Sequence, residues 1–181
     1  MTSLPEIIDD LRRRLSEVER RQRAQFRTGV IVEVDAGNGL ARVELQKGDQ
    51  PFLTGWIPWV ELSAGANKTH NPPSVGQQVQ IASETGDLHD AVIQGSLNSD
   101  QNGRPSGAGN EYVLASVGSA SVTIDNSGGA LRLKNGGVTL TLTPSGFALD
   151  GGQVTHNGIN IGDAHTHSGV KAGPADTGTP N

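Results

Sequence analysis

The sequence predicts a mainly β protein with an N-terminal helix, a small barrel and a glycine-rich assembly segment. Apolar residues follow heptad spacing near the N-terminus, and further along the chain they alternate with polar residues between turn signals. The chain is 34% hydrophobic and 3% aromatic and contains 25 glycines. Too few large side chains remain for one thick core, so we expect assembly to supply part of the stability.

The composition excludes several kinds of site. There are no cysteines, which excludes disulfides, thiolate nucleophiles and Cys-ligated metals, so any metal must use His, carboxylate or carbonyl ligands. The first 25 residues are charged throughout and lack the apolar run of a signal peptide. No later stretch approaches the roughly 18 apolar residues of a membrane span. We therefore expect a soluble protein made in a cytoplasm.

The net charge of −5 is unevenly distributed along the chain. Half of the basic residues are arginines near the N-terminus: Arg12, Arg13, Arg14, Arg20, Arg21, Arg23 and Arg27. Everything after residue 27 is distinctly acidic. Because phosphate binding depends on Lys and Arg, we expect no nucleic-acid partner for that acidic part.

Residues 1–26 are predicted to form a helix. Its apolar positions follow a 4-3-4-3 spacing, with two glutamines continuing the register: Leu4, Ile8, Leu11, Leu15, Val18, Gln22 and Gln25. Ser3 is a candidate N-cap, with Pro5 and Glu6 in the first turn. An isolated helix of this length is marginal in water. The seam therefore needs a partner, which is either the helix's own domain or other helices in a coiled coil.

Residues 27–97 are predicted to form an OB-like barrel of five strands. The stretch "TGVIVEVDAGNGLARVEL" has two alternating runs joined by a hairpin turn, "FLTGWIPWV" supplies a third strand, and "VGQQVQIASETGDLHDAVIQGSL" supplies two more. Five strands in about 70 residues are typical of a small closed barrel. We expect Trp56 and Trp59 to serve the core or a subunit contact rather than base stacking. His70 and His89 are interpreted as ordinary loop histidines.

Residues 98–110 read as a linker, and residues 111–162 carry a second kind of β structure. Apolar residues alternate in short segments: Val122 and Ile124; Leu131 and Leu133; Val138, Leu140 and Leu142; Phe147 and Leu149; Ile159 and Ile161. Glycine pairs separate the segments. Each segment offers one thin apolar row, so we expect an intertwined trimeric β-helix in which several chains share a core.

Residues 163–181 form the predicted tip, which contains an H-x-H pair. In an extended chain His165 and His167 face the same side, whereas two ligands and Asp163 are too few for a metal site in a monomer. On a threefold axis the pair becomes six ligands in two layers, which matches an octahedral ion such as Fe(II) or Ni(II). His156 is interpreted as an ordinary histidine.

The order of these parts resembles the baseplate assembly protein V family, the central spike of contractile-tailed phages, which is related to type VI secretion spikes. The most specific shared elements are the closing hairpin of the barrel and the terminal "HTHSGV". The resemblance implies a homotrimer with barrels at the tail-tube end. It also implies an iron ion at the tip, one per trimer and bound by His165 and His167 of three chains, and it allows calcium or chloride on the spike axis.

The resemblance further implies a structural role in the virion tail baseplate. The spike would contact baseplate hub or tail-tube proteins through its barrel and would cross the host outer membrane when the sheath contracts, after assembly in the host cytoplasm. We expect no enzyme and no small-molecule substrate, since the sequence contains neither G-x-S-x-G nor H-E-x-x-H and no paired carboxylates on an ordered element.

Three alternatives remain open at this point. The first is an OB-fold nucleic-acid-binding module with an oligomerisation tail, which requires a basic groove with exposed aromatic residues. The second is a metal-dependent hydrolase that uses His165, His167 and Asp163 with an open coordination position. The third is the same spike in a phage-derived secretion or bacteriocin particle.

Overall fold

A computed structural model describes residues 3–46, 51–162, 165, 169 and 173. The chain divides into two compact units, residues 1–104 and 105–181. The first unit contains one long helix and a small barrel, and the second contains a five-stranded sheet and a short hairpin. Within the described residues, no helix is both long enough and apolar enough to span a membrane.

Helix α1 spans Leu4–Ala24, inside the predicted range. Ser3 is the N-cap, as predicted, and its backbone N–H donates to the Glu6 carboxylate at 2.7 Å. This bond satisfies a donor that the first turn leaves unpaired. Ion pairs one turn apart, such as Arg14 to Asp10 at 2.8 Å, add the small support that exposed pairs give to a helix.

The barrel contains six short strands. They are β1 (Phe26–Asp35), β2 (Leu40–Gln46), β3 (Phe52–Leu53), β4 (Ile57–Pro58), β5 (Gln78–Ala82) and β6 (Val92–Leu97). The sheet order is β3-β2-β1-β5-β6, and β4 pairs with β2. Trp59, next to β4, forms a parallel bridge with Ile93 of β6. The two ends of the sheet therefore meet, and the predicted mainly β, OB-like fold of this unit is confirmed.

Both hairpins predicted from sequence are present. The turn between β1 and β2 is held by Asp35, whose carboxylate accepts from the backbone and side chain of Asn38 at 3.1 and 2.7 Å. Gly39 has a φ of 71°, which favours glycine. Between β5 and β6 the chain forms a short 3₁₀ helix, Leu88–Asp90.

The prediction of a single strand for "FLTGWIPWV" was wrong. Thr54 interrupts it, because its side-chain oxygen accepts from the Val43 backbone N–H at 3.0 Å and its own N–H donates to the Val43 carbonyl at 2.9 Å. Gly55 follows without pairing in the sheet, and the chain resumes as β4. Thr54 is buried, so the interruption is a packed feature that lets one segment pair with β2 at two places.

The barrel has its own hydrophobic core. The buried members are Ile31, Ala41, Val43, Ile57, Val79, Ile81, Ala91 and Ile93. They come from five of the strands and the turn before β6, because alternate residues of each strand point inward. At Gly29, where β1 crosses β2, a Cβ atom would lie 2.5 Å from a Val43 methyl carbon. Glycine is thus required there for the two strands to approach.

The second unit is an antiparallel meander followed by a hairpin. Its strands are β7 (Glu111–Val117), β8 (Ala120–Asp125), β9 (Ala130–Asn135), β10 (Val138–Thr143) and β11 (Gly146–Asp150), then β12 (Thr155–His156) and β13 (Ile159–Asn160). Each of the first five strands pairs with its neighbour in sequence. The alternating segments are therefore strands, as predicted, whereas winding of several chains into a β-helix stays a prediction.

Candidate assembly surface and metal site

Cross-strand pairing aligns the apolar residues of the second unit in two continuous rows. One row is Tyr112, Ile124, Leu131, Leu142 and Phe147, and the other is Ala115, Val122, Leu133, Leu140 and Leu149. Directly paired residues and residues two apart on a strand share one side of a sheet. The ten residues therefore lie on one side, which we call the apolar face.

Within the described residues of the second unit, no second layer covers the apolar face. Tyr112 is 65% exposed, Leu142 50% and Phe147 75%. Among the described residues of this unit, Ala130 is the single hydrophobic residue that is fully buried. Monomeric soluble proteins rarely expose a contiguous apolar surface that crosses five strands. The face therefore has the composition of a protein interface.

The opposite side of the sheet is polar. It carries Ser121, Thr123, Arg132, Lys134, Thr139 and Thr141. The Arg132 guanidinium lies 3.6 Å from the Asp125 carboxylate, and the Ser127 hydroxyl donates to the same carboxylate at 2.7 Å. The hydrogen bonds from Ser127 are the main cause that lowers the pKa of Asp125. Charged and hydroxyl groups are well hydrated, so we expect this side of the sheet to face solvent.

Two glycine pairs of the sequence, Gly136-Gly137 and Gly151-Gly152, lie against each other at one end of the sheet. Gly151 has a φ of 74°, and a Cβ atom there would lie 2.1 Å from the Gly137 carbonyl oxygen. A side chain at this position would force the backbone apart. The glycines therefore allow the turns to pack closely beside β10.

Of the predicted metal ligands, the structure describes His165 alone. His167 and Asp163 lie outside the described residues. The backbone N–H of His165 donates to the Gly162 carbonyl at 3.2 Å, and its Nδ1 lies 2.5 Å from the same oxygen. Since a carbonyl oxygen only accepts, this contact requires a proton on Nδ1. A backbone carbonyl that orients the ring in this way is common beside metal-ligating histidines.

One chain does not assemble a complete metal site from the residues that the structure describes. Among them, no group of three His, Asp or Glu side chains lies close enough together to hold an ion. Imidazole nitrogen is a donor type that suits a first-row metal such as iron. The site of His165 and His167 stays a prediction that requires further chains.

The two tryptophans of the barrel have different surroundings. Trp59 packs against the core, and its Nε1 donates to the Glu61 carboxylate at 2.7 Å. Trp56 is 46% exposed, and the Arg42 guanidinium lies 6.0 Å from its ring centroid. The expected core role is thus confirmed for Trp59 but not for Trp56.

Sequence reasoning missed a groove on the first unit. It has a volume of about 600 Å³, and its lining includes Arg20, Arg21, Arg27, Phe52, Trp56 and His89. We call it the basic groove. Its residues come from the end of α1 and the adjoining start of β1, from the interrupted strand and from the turn before β6. The separation of these segments in the sequence explains why no local pattern indicated the groove.

Glu61 organises a loop beside the groove-forming strands. Its carboxylate accepts from the Asn71 backbone N–H at 2.8 Å, from Trp59 at 2.7 Å and from the Thr69 hydroxyl at 2.8 Å. The Asn71 bond is the largest of the causes that lower the pKa of Glu61. The charged form of Glu61 therefore holds residues 61–71 in place.

Comparisons with known proteins agree with this architecture. Residues 27–97 match the family described as the type VI secretion system/phage-baseplate injector OB domain. The spike protein of Escherichia phage P2 is 38% identical over 92 residues, which is 51% of this chain and 42% of the relative. The matched stretch thus spans less than half of that relative's length. The resemblance predicted from the sequence is confirmed: residues 27–97 match the injector OB-domain family, and the matched half of the chain is similar to a phage spike protein.

Proposed function

We propose that the chain is the structural central spike of a contractile tail, a homotrimeric needle driven through the host outer membrane when the sheath contracts. The observation that carries the proposal is the apolar face, which spans five strands and has no covering layer among the described residues of the second unit. Similarity to a phage spike protein supports the same role.

In the proposed trimer, three copies of the apolar face cover one another around a common axis. Each large apolar side chain that becomes covered contributes roughly 1.5–3 kcal/mol. Ten face positions per chain, including Leu131, Leu142 and Phe147, are available for this burial. The polar side stays toward water. A core made in this way exists only in the assembly, which accounts for the low content of large residues.

Trimer formation also suits a part that bears axial force. In one chain, β7 and β11 are edge strands of the meander. Unpaired edges are points where a sheet can open or add foreign strands. Pairing or packing of these edges against neighbouring copies makes separation of the chains a concerted event. The needle then resists fraying during penetration.

The tip is proposed to bind one iron ion per trimer through His165 and His167 of each chain. The ion supplies structural cross-linking, because one centre then holds three chain ends together. In this chain, the Gly162 carbonyl oxygen lies within hydrogen-bond distance of Nδ1 of the His165 ring. Six protein ligands leave no open coordination position, so the site is proposed as structural rather than catalytic. The proposal also allows calcium or chloride ions to bind on the spike axis.

The proposed partners and location follow from the family. The barrel of residues 27–97 would contact the baseplate hub or tail tube, the needle would meet the host outer membrane, and the protein would reside in the virion tail baseplate after assembly in the host cytoplasm. A phage-derived secretion or bacteriocin particle would use the same mechanics. No enzymatic activity, nucleic acid or small-molecule substrate belongs to this role.

The proposal is tested by the mass in solution and the metal content of untagged protein. We expect a trimer with one iron per three chains. In His165→Ala/His167→Ala, the iron should be lost and the trimer should persist, because the apolar face holds the chains together without the metal. A metal-free monomer, or one metal per chain, would contradict the proposal.

The basic groove favours a second candidate, an OB-fold nucleic-acid-binding module. Three arginines line it together with Trp56 and Phe52, a combination of charge and stacking surface that single strands bind. Two of the arginines, Arg20 and Arg21, are paired with Glu17 of the same helix at 2.8 and 2.7 Å. Against it, residues 27–97 contain eight Asp and Glu and four Lys and Arg. Titration of a labelled single-stranded oligonucleotide at low and high salt discriminates the two roles. Tight, salt-sensitive binding that Trp56→Ala abolishes would favour this second function.

A further inference from the structure

The apolar seam of α1 is exposed along the whole helix. Its members are 41–70% exposed: Leu4, Ile8, Leu11, Leu15 and Val18. Ile7 lies beside them and is 45% exposed, which makes the stripe wider than a strict heptad seam. About four turns of helix thus present an apolar stripe that no described residue of the first unit covers.

The barrel holds only the C-terminal end of α1. The Ser83 backbone N–H donates to the Gln25 carbonyl at 2.9 Å, and Ala24 is buried. At Gly86, a Cβ atom would lie 2.7 Å from the Arg21 carbonyl oxygen, so the turn before β6 abuts the last turn of the helix. Packing of the seam on its own domain was one of the two interpretations of the sequence. The described residues do not support that interpretation, because the contacts lie beyond the seam.

Charges beside the seam match a parallel arrangement of identical helices. With Ile8 and Leu15 at a positions and Leu11 at a d position, Arg14 occupies g and Glu19 occupies e of the next heptad. In a parallel, in-register coiled coil, a g residue faces the e residue five positions later on the neighbouring helix. Arg14 therefore meets Glu19 of the next copy. An antiparallel arrangement would instead place g beside g, which brings Arg14 and Arg21 of different chains together.

We propose that α1 pairs with α1 of two further copies in a parallel, in-register three-helix coiled coil through the seam. The inference rests on the proposed homotrimer, which supplies two equivalent helices, each held at its C-terminal end by its own barrel. The coil would join the three chains at the N-terminal end, independently of the apolar face of the second unit. It also explains why a helix of marginal intrinsic stability keeps a fully apolar stripe.

Cysteine cross-linking of the full chain tests this pairing, because the chain has no native cysteine. Leu11→Cys places a thiol at a d position in the seam, and Arg13→Cys places one at f, on the outer side of the coil. Leu11 is 58% exposed in the single chain, so its replacement leaves the barrel core intact. After mild oxidation at micromolar concentration, we expect at least tenfold more disulfide-linked dimer for Leu11→Cys than for Arg13→Cys.

The mass in solution separates failure of the coil from failure of the trimer. A trimer in which both cysteine variants cross-link equally little would overturn the coiled coil and leave the spike proposal standing. A monomer would overturn both. A larger complex that forms only with another baseplate protein, and shows no linkage between copies, would assign the seam to that protein and overturn the proposal.

Charge reversal tests the parallel register. Arg14→Glu should lower the melting temperature of the helical signal by a few degrees at low salt, since it breaks the ion pair with Asp10 of the same helix and places two carboxylates together between neighbouring helices. Arg14→Glu/Glu19→Arg should restore it by recreating the pair in reverse. If the melting temperature of the double variant is no higher than that of Glu19→Arg alone, the parallel register is overturned.

Discussion

The barrel and the five-stranded sheet use the same alternation of apolar and polar residues, yet their apolar sides end in opposite environments. In the barrel, Ile31, Val79 and Ile81 are at most 1% exposed. In the sheet, residues of the apolar face such as Leu142 and Phe147 are at least half exposed. Alternation therefore defines which side of a strand is apolar and leaves open which molecule covers it.

Closure of the sheet accounts for the difference. The barrel curls until β4 pairs with β2 and Trp59 bridges to Ile93, so its inward sides face one another. The second unit is an open meander with β7 and β11 at its edges. An open sheet needs another layer on its apolar side. In a chain this poor in large residues, copies of the same sheet are the proposed layer.

The largest expected effect comes from a charge placed on the apolar face. Leu142→Asp should weaken the proposed trimer and shift it toward monomers at micromolar concentration, because each chain would bury an unpaired carboxylate at a cost of several kcal/mol. Sedimentation or light scattering measures the mass. In the single chain Leu142 is half exposed, so this variant changes assembly rather than the fold of the isolated sheet.

Thr141→Asp is the matched control, one residue away on the polar side and paired with Arg132. It should remain trimeric, because its carboxylate faces solvent near a guanidinium. Dissociation by both variants, or by neither, would show that the apolar face is not the assembly surface.

A smaller effect is expected from the barrel core. Ile81→Ala removes a side chain that is 1% exposed and should lower the free energy of unfolding of the barrel by about 2–5 kcal/mol. Both tryptophans lie in the barrel, so their fluorescence during denaturation reports this unit alone. The trimer should persist at low denaturant, since the sheet does not use this core.

Leu62→Ala provides the comparison for that substitution. Leu62 is 97% exposed, and its loss should change the free energy of unfolding by less than about 0.5 kcal/mol. Equal effects of the two substitutions would mean that the barrel core does not determine the stability of this unit, and the contrast with the sheet would fail.

Local patterns predicted the elements well where one segment carried the whole signal. The heptad seam and the capping residues predicted α1, and alternation with glycine-containing turns predicted β1, β2 and β8 to β11. The alternating segments did not include β7 or β12. The interruption at Thr54 was missed, because it depends on hydrogen bonds to Val43, which belongs to another strand. The basic groove was missed for the same reason, since three distant segments form it.

The candidate sites were predictable to different depths. The thin apolar rows predicted that the sheet needs copies of itself, but only the pairing of Leu131 with Leu142 and of Val122 with Leu133 revealed two continuous rows on one side. For the tip, H-x-H spacing indicated paired ligands. The orienting bond from His165 to Gly162 has no sequence signal, because any residue can supply a carbonyl.

The smallest expected effect is on the loop that Glu61 organises. The folded state lowers the pKa of Glu61 through the Asn71 N–H and then through Trp59 and Thr69. The stabilisation is therefore fully present above the unfolded pKa of about 4.3 and is lost as the pH falls through the lower folded value. Amide exchange at Asn71, corrected for its intrinsic pH dependence, should lose protection below about pH 4 while the trimer, held by apolar contacts, keeps its mass.

Glu61→Gln separates the charge from the shape of the acceptor. This variant retains an oxygen for one hydrogen bond but cannot titrate, so Asn71 should be less protected at neutral pH and should show no additional loss on acidification. An acid transition that survives in Glu61→Gln would assign the loosening to another carboxylate. Simultaneous loss of the trimer in the wild type would show that the barrel loop and the sheet respond to acid together. The hydrogen bonds of Glu61 and the apolar contacts of the sheet would then not stabilise the two regions separately.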